Sequence, residues 1–208
     1  MTHVVLLGDS IFDNRAYVAP GPDVSCQLRA HLGAGSTVTL LAVDGNVTAD
    51  VARRQLGRVP RDASHLVVSV GGNDALGYAS LLEERAGSVA EAVGRLADAQ
   101  ASFAAEYAAM IDAVVKLGAP TAVCTIYDAN FPEPMRRLVV TALALFNDVI
   151  SRAAFSRGLP LIDLRLICTK PADYANPIEP STAGGDKIAG AIADMVGSAW
   201  PGRSTVWI

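Results

Sequence analysis

Val4-Val5-Leu6-Leu7-Gly8-Asp9-Ser10 is the stretch from which the rest of the chain is read. An apolar run this short fits a buried strand, and it stops at Gly-Asp-Ser, which suits a sharp turn presenting one hydroxyl at the strand's carboxyl end. In open α/β sheets ligands sit just beyond the carboxyl ends of the strands, so Ser10 stands where a nucleophile is useful. Turn formers also close many ordinary strands. The weight of this tripeptide therefore depends on the residues found at the ends of the later strands.

Strand-like and helix-like patterns alternate along the rest of the chain, which predicts a parallel sheet with helices on both faces. The loop after Ser10 is polar. Val24, Leu28 and Leu32 then recur at helical spacing, with Gly33 as the stop. Val38–Val43 reads as the second strand, ending in Asp44-Gly45-Asn46, and Thr48 is placed to cap a short helix through Leu56. The third strand, Leu66–Val70, runs into Gly71-Gly72-Asn73-Asp74, where paired glycines permit positive φ and Asn73 offers an amide donor.

A long helix is expected from Ser88, with Ser88 and Glu91 as a capping box. Its inner face is read as Val89, Val93, Leu96, Phe103, Tyr107, Met110, Val114 and Leu117, before Gly118 and Pro120 end it. Ala122–Ile126 is the fourth strand, a helix runs from about Glu133 to Arg157, and Leu161–Leu164 is the fifth strand. A long irregular segment, Thr169 to Ser181, precedes a last helix from about Thr182 to Ala199. Loops of that length in a compact domain are usually functional.

Composition sets the bounds. A chain of 208 residues, 51% hydrophobic and 18% charged, can bury a substantial core and is expected to fold as one domain over 1–208. Its net charge of -4 and lack of any Lys or Arg run argue against a nucleic-acid partner. Cys26, Cys124 and Cys168 are odd in number and far apart, so neither a disulfide framework nor a zinc site is indicated. No basic region precedes the short first apolar run, and no stretch is expected to approach membrane-spanning length. A cytoplasmic protein without a membrane partner is the expectation. The dinucleotide and P-loop glycine patterns are absent after the first strand. Asp9, Asp13, Asp74 and Asp128 fall near the same rim, where turn and solvated roles are expected rather than a divalent metal.

Ser10, Gly45 and Gly72-Asn73 each come directly after a strand, so they can converge on one pocket. The Ser10 and Gly45 backbone N–H groups and the Asn73 amide would give three donors for a developing oxyanion. In these blocks the sequence resembles the SGNH hydrolases, or GDSL family: Gly8-Asp9-Ser10 matches the nucleophile block, Gly45 the second and Gly71-Gly72-Asn73-Asp74 the third. The resemblance extends over nearly the whole chain. It implies a three-layer α/β/α sandwich with a five-stranded parallel sheet of order 2-1-3-4-5. It also implies cleavage of esters or acetyl groups of a small molecule without metal or cofactor.

The fourth block departs from the family. Where the pattern has Asp, two residues, His, Pro and Ser, this chain reads Asn176-Pro177-Ile178-Glu179-Pro180-Ser181. Glu179 replaces the His that serves as base and Asn176 replaces its orienting Asp, while Pro180, Ser181 and Gly184-Gly185 keep the frame. No other histidine is placed to substitute. His3 is seven residues ahead of Ser10 on one strand, roughly 20 Å away, His65 opens the third strand, and His31 ends an antiparallel helix.

Three readings stand at this level. Glu179 is the base for Ser10; or Glu179 acts directly as acid or base on substrate, in acyl transfer, elimination or cyclisation; or the scaffold is a binding module without catalysis. The first needs burial, because an ordinary Glu at about 4.3 leaves a deficit of roughly 3 to 4 kcal/mol in proton affinity at neutral pH. Asp9, Gly72 and Asn176 are supporting positions. Ile11, Phe12, Tyr127, Phe131 and Ile178 are candidates for an apolar acyl wall.

Overall fold

Val4 and Leu6 point to one face of the first strand and Val5 and Leu7 to the other, and each pair enters a different core cluster. A strand apolar on both sides has to be covered on both sides, which places it at the centre of a layered fold. The computed structural model describes residues 1–198 and 205–207 of this chain. In order the elements are β1 (His3–Gly8), α1 (Arg15–Val18), α2 (Val24–Leu32), β2 (Thr37–Leu40), α3 (Thr48–Asp50), β3 (His65–Ser69), α4 (Gly72–Gly77), α5 (Val89–Val115), β4 (Thr121–Cys124), α6 (Met135–Ser156), β5 (Leu161–Ile162), α7 (Leu164–Ile167), β6 (Tyr174–Asn176), β7 (Glu179–Pro180), α8 (Thr182–Gly197) and β8 (Val206–Trp207).

The main sheet is parallel throughout, in the order β2-β1-β3-β4-β5-β8. The expected order holds, but the sheet has six strands rather than five. Val206–Trp207 adds to the edge beyond β5, and so short a segment carries no readable period. On one face α5 and α6 cover Val5, Leu7, Leu66 and Val68 with Phe103, Tyr107, Phe146 and Ile150. On the other, α2 and α8 cover Val4, Leu6 and Val67 with Val24, Leu28, Ile188 and Ile192.

Several local expectations change in the structure. Val89 and Val93 are 81% and 58% exposed, so the buried stripe of α5 starts later than predicted. A helix of 27 residues runs about 40 Å, whereas strands of this sheet span about half that, and its first turns project past the sheet. Leu117 is also exposed. Thr48 does not cap its helix. Its backbone N–H instead donates to both oxygens of Asp74, at 3.0 and 3.2 Å.

Thr169 to Ser181 is not wholly irregular, because β6 and β7 pair as an antiparallel ribbon. Contrary to expectation, α6 is long and apolar enough to cross a membrane by length and composition, at 22 residues and a mean hydropathy of 1.6. Its apolar content has two uses here: Phe146, Ile150 and Ala154 pack in the core, while Leu138 and Ala142 line a cavity. The expected last-helix end at Ala199 lies outside the described residues.

Candidate active site

Gly8 makes the turn into Ser10 possible. Its φ is +132°, and a Cβ there would lie 1.7 Å from the Ser69 carbonyl oxygen, so β1 approaches β3 only with glycine at this point. Gln55 completes the support. It lies on the winding segment after α3, fully buried, and bonds Gly8 twice: Oε1 accepts from the Gly8 N–H and Nε2 donates to its carbonyl, each at 2.8 Å. Nε2 also donates to Asn46 Oδ1 at 2.9 Å. The nucleophile turn and the turn after β2 are thereby tied through one amide.

Ser10 is 6% exposed and donates its hydroxyl proton to Glu179 Oε1 at 3.0 Å. Glu179 starts β7 and is itself 5% exposed, and its Oε2 has no hydrogen-bond partner among the described residues. Burial, reinforced by the Asp44 charge and opposed by the Ser10 bond, raises its pKa to about 7. Asp9, equally enclosed, is pushed up to about 8, chiefly by burial and against the bond it accepts from the Ile11 N–H.

Glu179 is brought to Ser10 by interactions along the whole ribbon. Asn14 accepts from the Val24 N–H and donates to the Pro180 carbonyl at 3.3 Å. Tyr127 donates to the Ile178 carbonyl at 2.8 Å and packs edge-on against Tyr174. Asp173 accepts from the Thr169 and Lys170 N–H groups and from Lys187 Nζ, which is 2.7 and 2.8 Å away. A Cβ on Gly184 would sit 2.1 Å from the Asp173 carbonyl, so α8 packs against this turn only through glycine. Ser181 caps α8 by accepting from the Gly184 N–H.

The oxyanion candidates lie on neighbouring turns. Asn73, in the first turn of α4, donates through Nδ2 to the Asn46 carbonyl at 3.0 Å and faces the cavity beside Ser10 and Gly72. Gly45 has φ +81° and lies in the exposed turn closed by the Asn46 N–H bonding to the Val43 carbonyl. Among the described residues, the Ser10 and Gly45 N–H groups donate to no other protein group. Asn176 accepts from the Ile178 N–H at 2.9 Å, which holds the ribbon's turn.

Of the rim acids, Asp9, Asp13 and Asp74 accept hydrogen bonds through their carboxylates, and Asp128 through its backbone carbonyl. Asp74 receives Thr48, Asp13 accepts from the Asp44 N–H at 2.9 Å, and the Asp128 carbonyl accepts from Tyr174. No group of three or more His, Cys, Asp or Glu able to hold a metal occurs among the described residues. The histidines bond elsewhere: His3 to Thr39 and Asp62, His31 to Asp186, His65 to Ser64.

Beside Ser10 and Glu179 opens a cavity of about 350 Å³. Ile11, Tyr127, Phe131 and Ile178 line it as anticipated. Phe12 does not, because it turns the other way and is fully buried against α2 and α8. Most of the wall was missed from sequence, since it comes from Tyr78 just after α4 and from Ala99, Leu138, Ala142 and Phe146 on the long helices α5 and α6, none of which was singled out. Gln55, Asn14 and Asn46 were missed too. A polar side chain on the inward side of the helix after Thr48 was the one available signal.

A family model described as the GDSL-like lipase/acylhydrolase family matches residues 6–186. No curated protein matches the sequence. Solved structures do. The extracellular lipase of Streptomyces rimosus is 18% identical, with 94% of this chain and 100% of that one covered and a TM-score of 0.66. Phospholipase A1 of Streptomyces albidoflavus is 20% identical over 93% and 98%, with a TM-score of 0.64. An acetylxylan esterase of Geobacillus stearothermophilus is 18% identical over 96% and 95%, with a TM-score of 0.66. At such identities these likenesses show a shared fold.

Proposed function

The chain belongs to the GDSL-like lipase/acylhydrolase family, and we propose that it hydrolyses an ester or acyl group of a small molecule with Ser10 as nucleophile and Glu179 as its base. The observation that carries this reading is the 3.0 Å bond from the buried Ser10 hydroxyl to Glu179 Oε1. As Ser10 Oγ adds to the substrate carbonyl carbon, its proton passes to Glu179, and the carbonyl oxygen takes up negative charge. The Ser10 and Gly45 N–H groups and Asn73 Nδ2 receive that oxyanion. On collapse, neutral Glu179 returns the proton to the leaving oxygen, and water repeats the sequence on the acyl-enzyme.

A carboxylate base differs from an imidazole in one respect that this site accommodates. An imidazole ends the step as a cation beside the oxyanion, whereas Glu179 ends it neutral, so one negative charge moves from Glu179 to the oxyanion and the N–H donors carry its stabilisation. With Glu179 raised to about 7, a large fraction is ionised at neutral pH and the remaining deficit in basicity is small. Asp9, raised to about 8, is mostly neutral at pH 7 and adds little repulsion against the oxyanion.

A second reading keeps the same residues. Glu179 Oε2 is buried with no hydrogen-bond partner among the described residues, and an oxygen so placed serves equally as acid or base directly on substrate, which supports acyl transfer or elimination. A fluorophosphonate probe with peptide mapping separates the two. Stoichiometric labelling of Ser10, abolished in Glu179→Gln, is expected for a serine nucleophile; an unlabelled but active protein would overturn it.

A further inference from the structure

The site has two unlike sides. Toward β2 it is exposed and polar, where Tyr17 donates to Asp44 at 2.8 Å and Asp44 in turn donates its N–H to Asp13. Toward β4 it opens into the 350 Å³ cavity, whose wall is built from Tyr78, Leu96, Ala99, Ala142, Leu143 and Phe146. Asp9, Ser10, Asn73 and Glu179 line it at the catalytic end, and Glu83, beside Leu82, brings a charged group to the lining away from that end. Its mouth is apolar as well, since Leu76, Leu82, Met135 and Leu138 line it and are 37 to 49% exposed. Such side chains cost little to leave in water singly, but grouped around an opening they form a surface that an apolar ligand would cover.

We infer that the cavity holds the acyl chain of the ester, a linear saturated or lightly unsaturated chain of medium length, with the alcohol portion on the polar Asp44 side. The inference rests on the ester-hydrolase reading of the site. The volume lies in the lower part of the roughly 300–1,000 Å³ range of small-molecule sites. At about 30 Å³ per water-sized group, it accommodates a chain of at most roughly twelve carbons. Ala99 and Ala142, on α5 and α6, present small side chains to the cavity, and larger ones there would close it. Burial of each methylene raises kcat/KM by up to about four-fold, so lengthening the chain up to the floor of the cavity raises it steadily, and extending it further brings a penalty.

The test uses methyl acetate, butyrate, octanoate and palmitate as substrates, octyl acetate as the reversed ester, and octanamide titrated into Ser10→Ala as a neutral, unreactive probe. We expect kcat/KM to be at least ten-fold higher for methyl octanoate than for methyl acetate and to fall again at palmitate. Ala142→Phe should reduce the octanoate-to-acetate ratio at least ten-fold and weaken octanamide binding by a similar factor. Leu138→Trp at the mouth, on an exposed position, provides a second variant if Ala142→Phe fails to fold. Preference for acetate, preference for octyl acetate, or a ratio insensitive to both variants would overturn the inference. If no ester is hydrolysed, the ester-hydrolase reading fails by itself; octanamide binding that weakens in the variants would still support the chain site, and its absence would overturn that too.

Discussion

Gln55 grips Gly8 from both sides of its peptide groups, accepting from its N–H and donating to its carbonyl at 2.8 Å each. β2 has already ended here, and the segment after it reaches only the Gly8 carbonyl, through the Val43 N–H at 3.1 Å, so the Gln55 amide supplies the acceptor for the Gly8 N–H. Gln55→Leu leaves the Gly8 donor buried without a partner. The expected loss is roughly 2 to 4 kcal/mol in unfolding free energy by urea titration, with a fall in kcat from the loosened Ser10 turn.

The pH profile is set by two raised carboxyl groups. Glu179 must be ionised to accept the Ser10 proton, so kcat/KM should rise with pH through about 7. Asp9 ionises near 8 and places a second negative charge beside the oxyanion, so activity should fall again above that value. The measurement is kcat/KM from pH 5 to 10. Asp9→Asn is expected to remove the alkaline fall and keep the acid limb.

Stability should carry the opposite slope. Both groups bind protons more tightly folded than unfolded, where their values are near 3.9 and 4.3. Between about pH 4 and 8 the native state therefore holds more protons, and unfolding free energy declines as pH rises through this window. Thermal melts of wild type and Asp9→Asn across it should show a shallower decline in the variant.

Asn73→Ala removes a donor whose bond to an oxyanion strengthens only in the transition state. A loss of about 2.7 to 4 kcal/mol, or 10² to 10³ in kcat, is expected with a small change in KM. Because Nδ2 also bonds the Asn46 carbonyl at 3.0 Å, a loss of stability of about 1 kcal/mol should accompany it. A change in KM alone would leave Asn73 as a binding contact.

Asp173 holds the ribbon that carries Glu179. Burial raises its pKa, but Lys187 and the Lys170 and Thr169 N–H bonds outweigh that and hold it below the usual carboxylate value. Its stabilisation is present above the unfolded value near 3.9 and is lost as pH falls through the depressed folded one. Asp173→Ala should destabilise the fold and lower kcat without touching substrate, while Asp173→Glu should recover part of both.

The layered α/β architecture was legible because it is written in short-range periods. Val4 to Leu7 alternate between two cores, Val24, Leu28 and Leu32 mark a helix face, and Gly33 and Gly118 end helices. Ser10, Gly45 and Asn73 could be placed at strand ends for the same reason. In a parallel sheet every carboxyl end faces one edge, so order along the chain already implies proximity. The edge strand β8 and the ribbon of β6 and β7 were not legible, being too short for a period and held by contacts from distant elements.

What sequence alone determined was which residues have the right chemistry and on which edge of the sheet they lie. Tertiary packing decided the rest. The meeting of Ser10 and Glu179 joins positions 169 residues apart, through Asn14, Tyr127 and Asp173, none of them adjacent to either. The raised pKa of Glu179 is a property of its burial, and the cavity is enclosed by the segments after β3 and β4 together with α5 and α6, where Ala99 and Ala142 present small side chains to it. Solvent exclusion and empty space depend on what the remainder of the chain packs around a point, and no local pattern of residues encodes that.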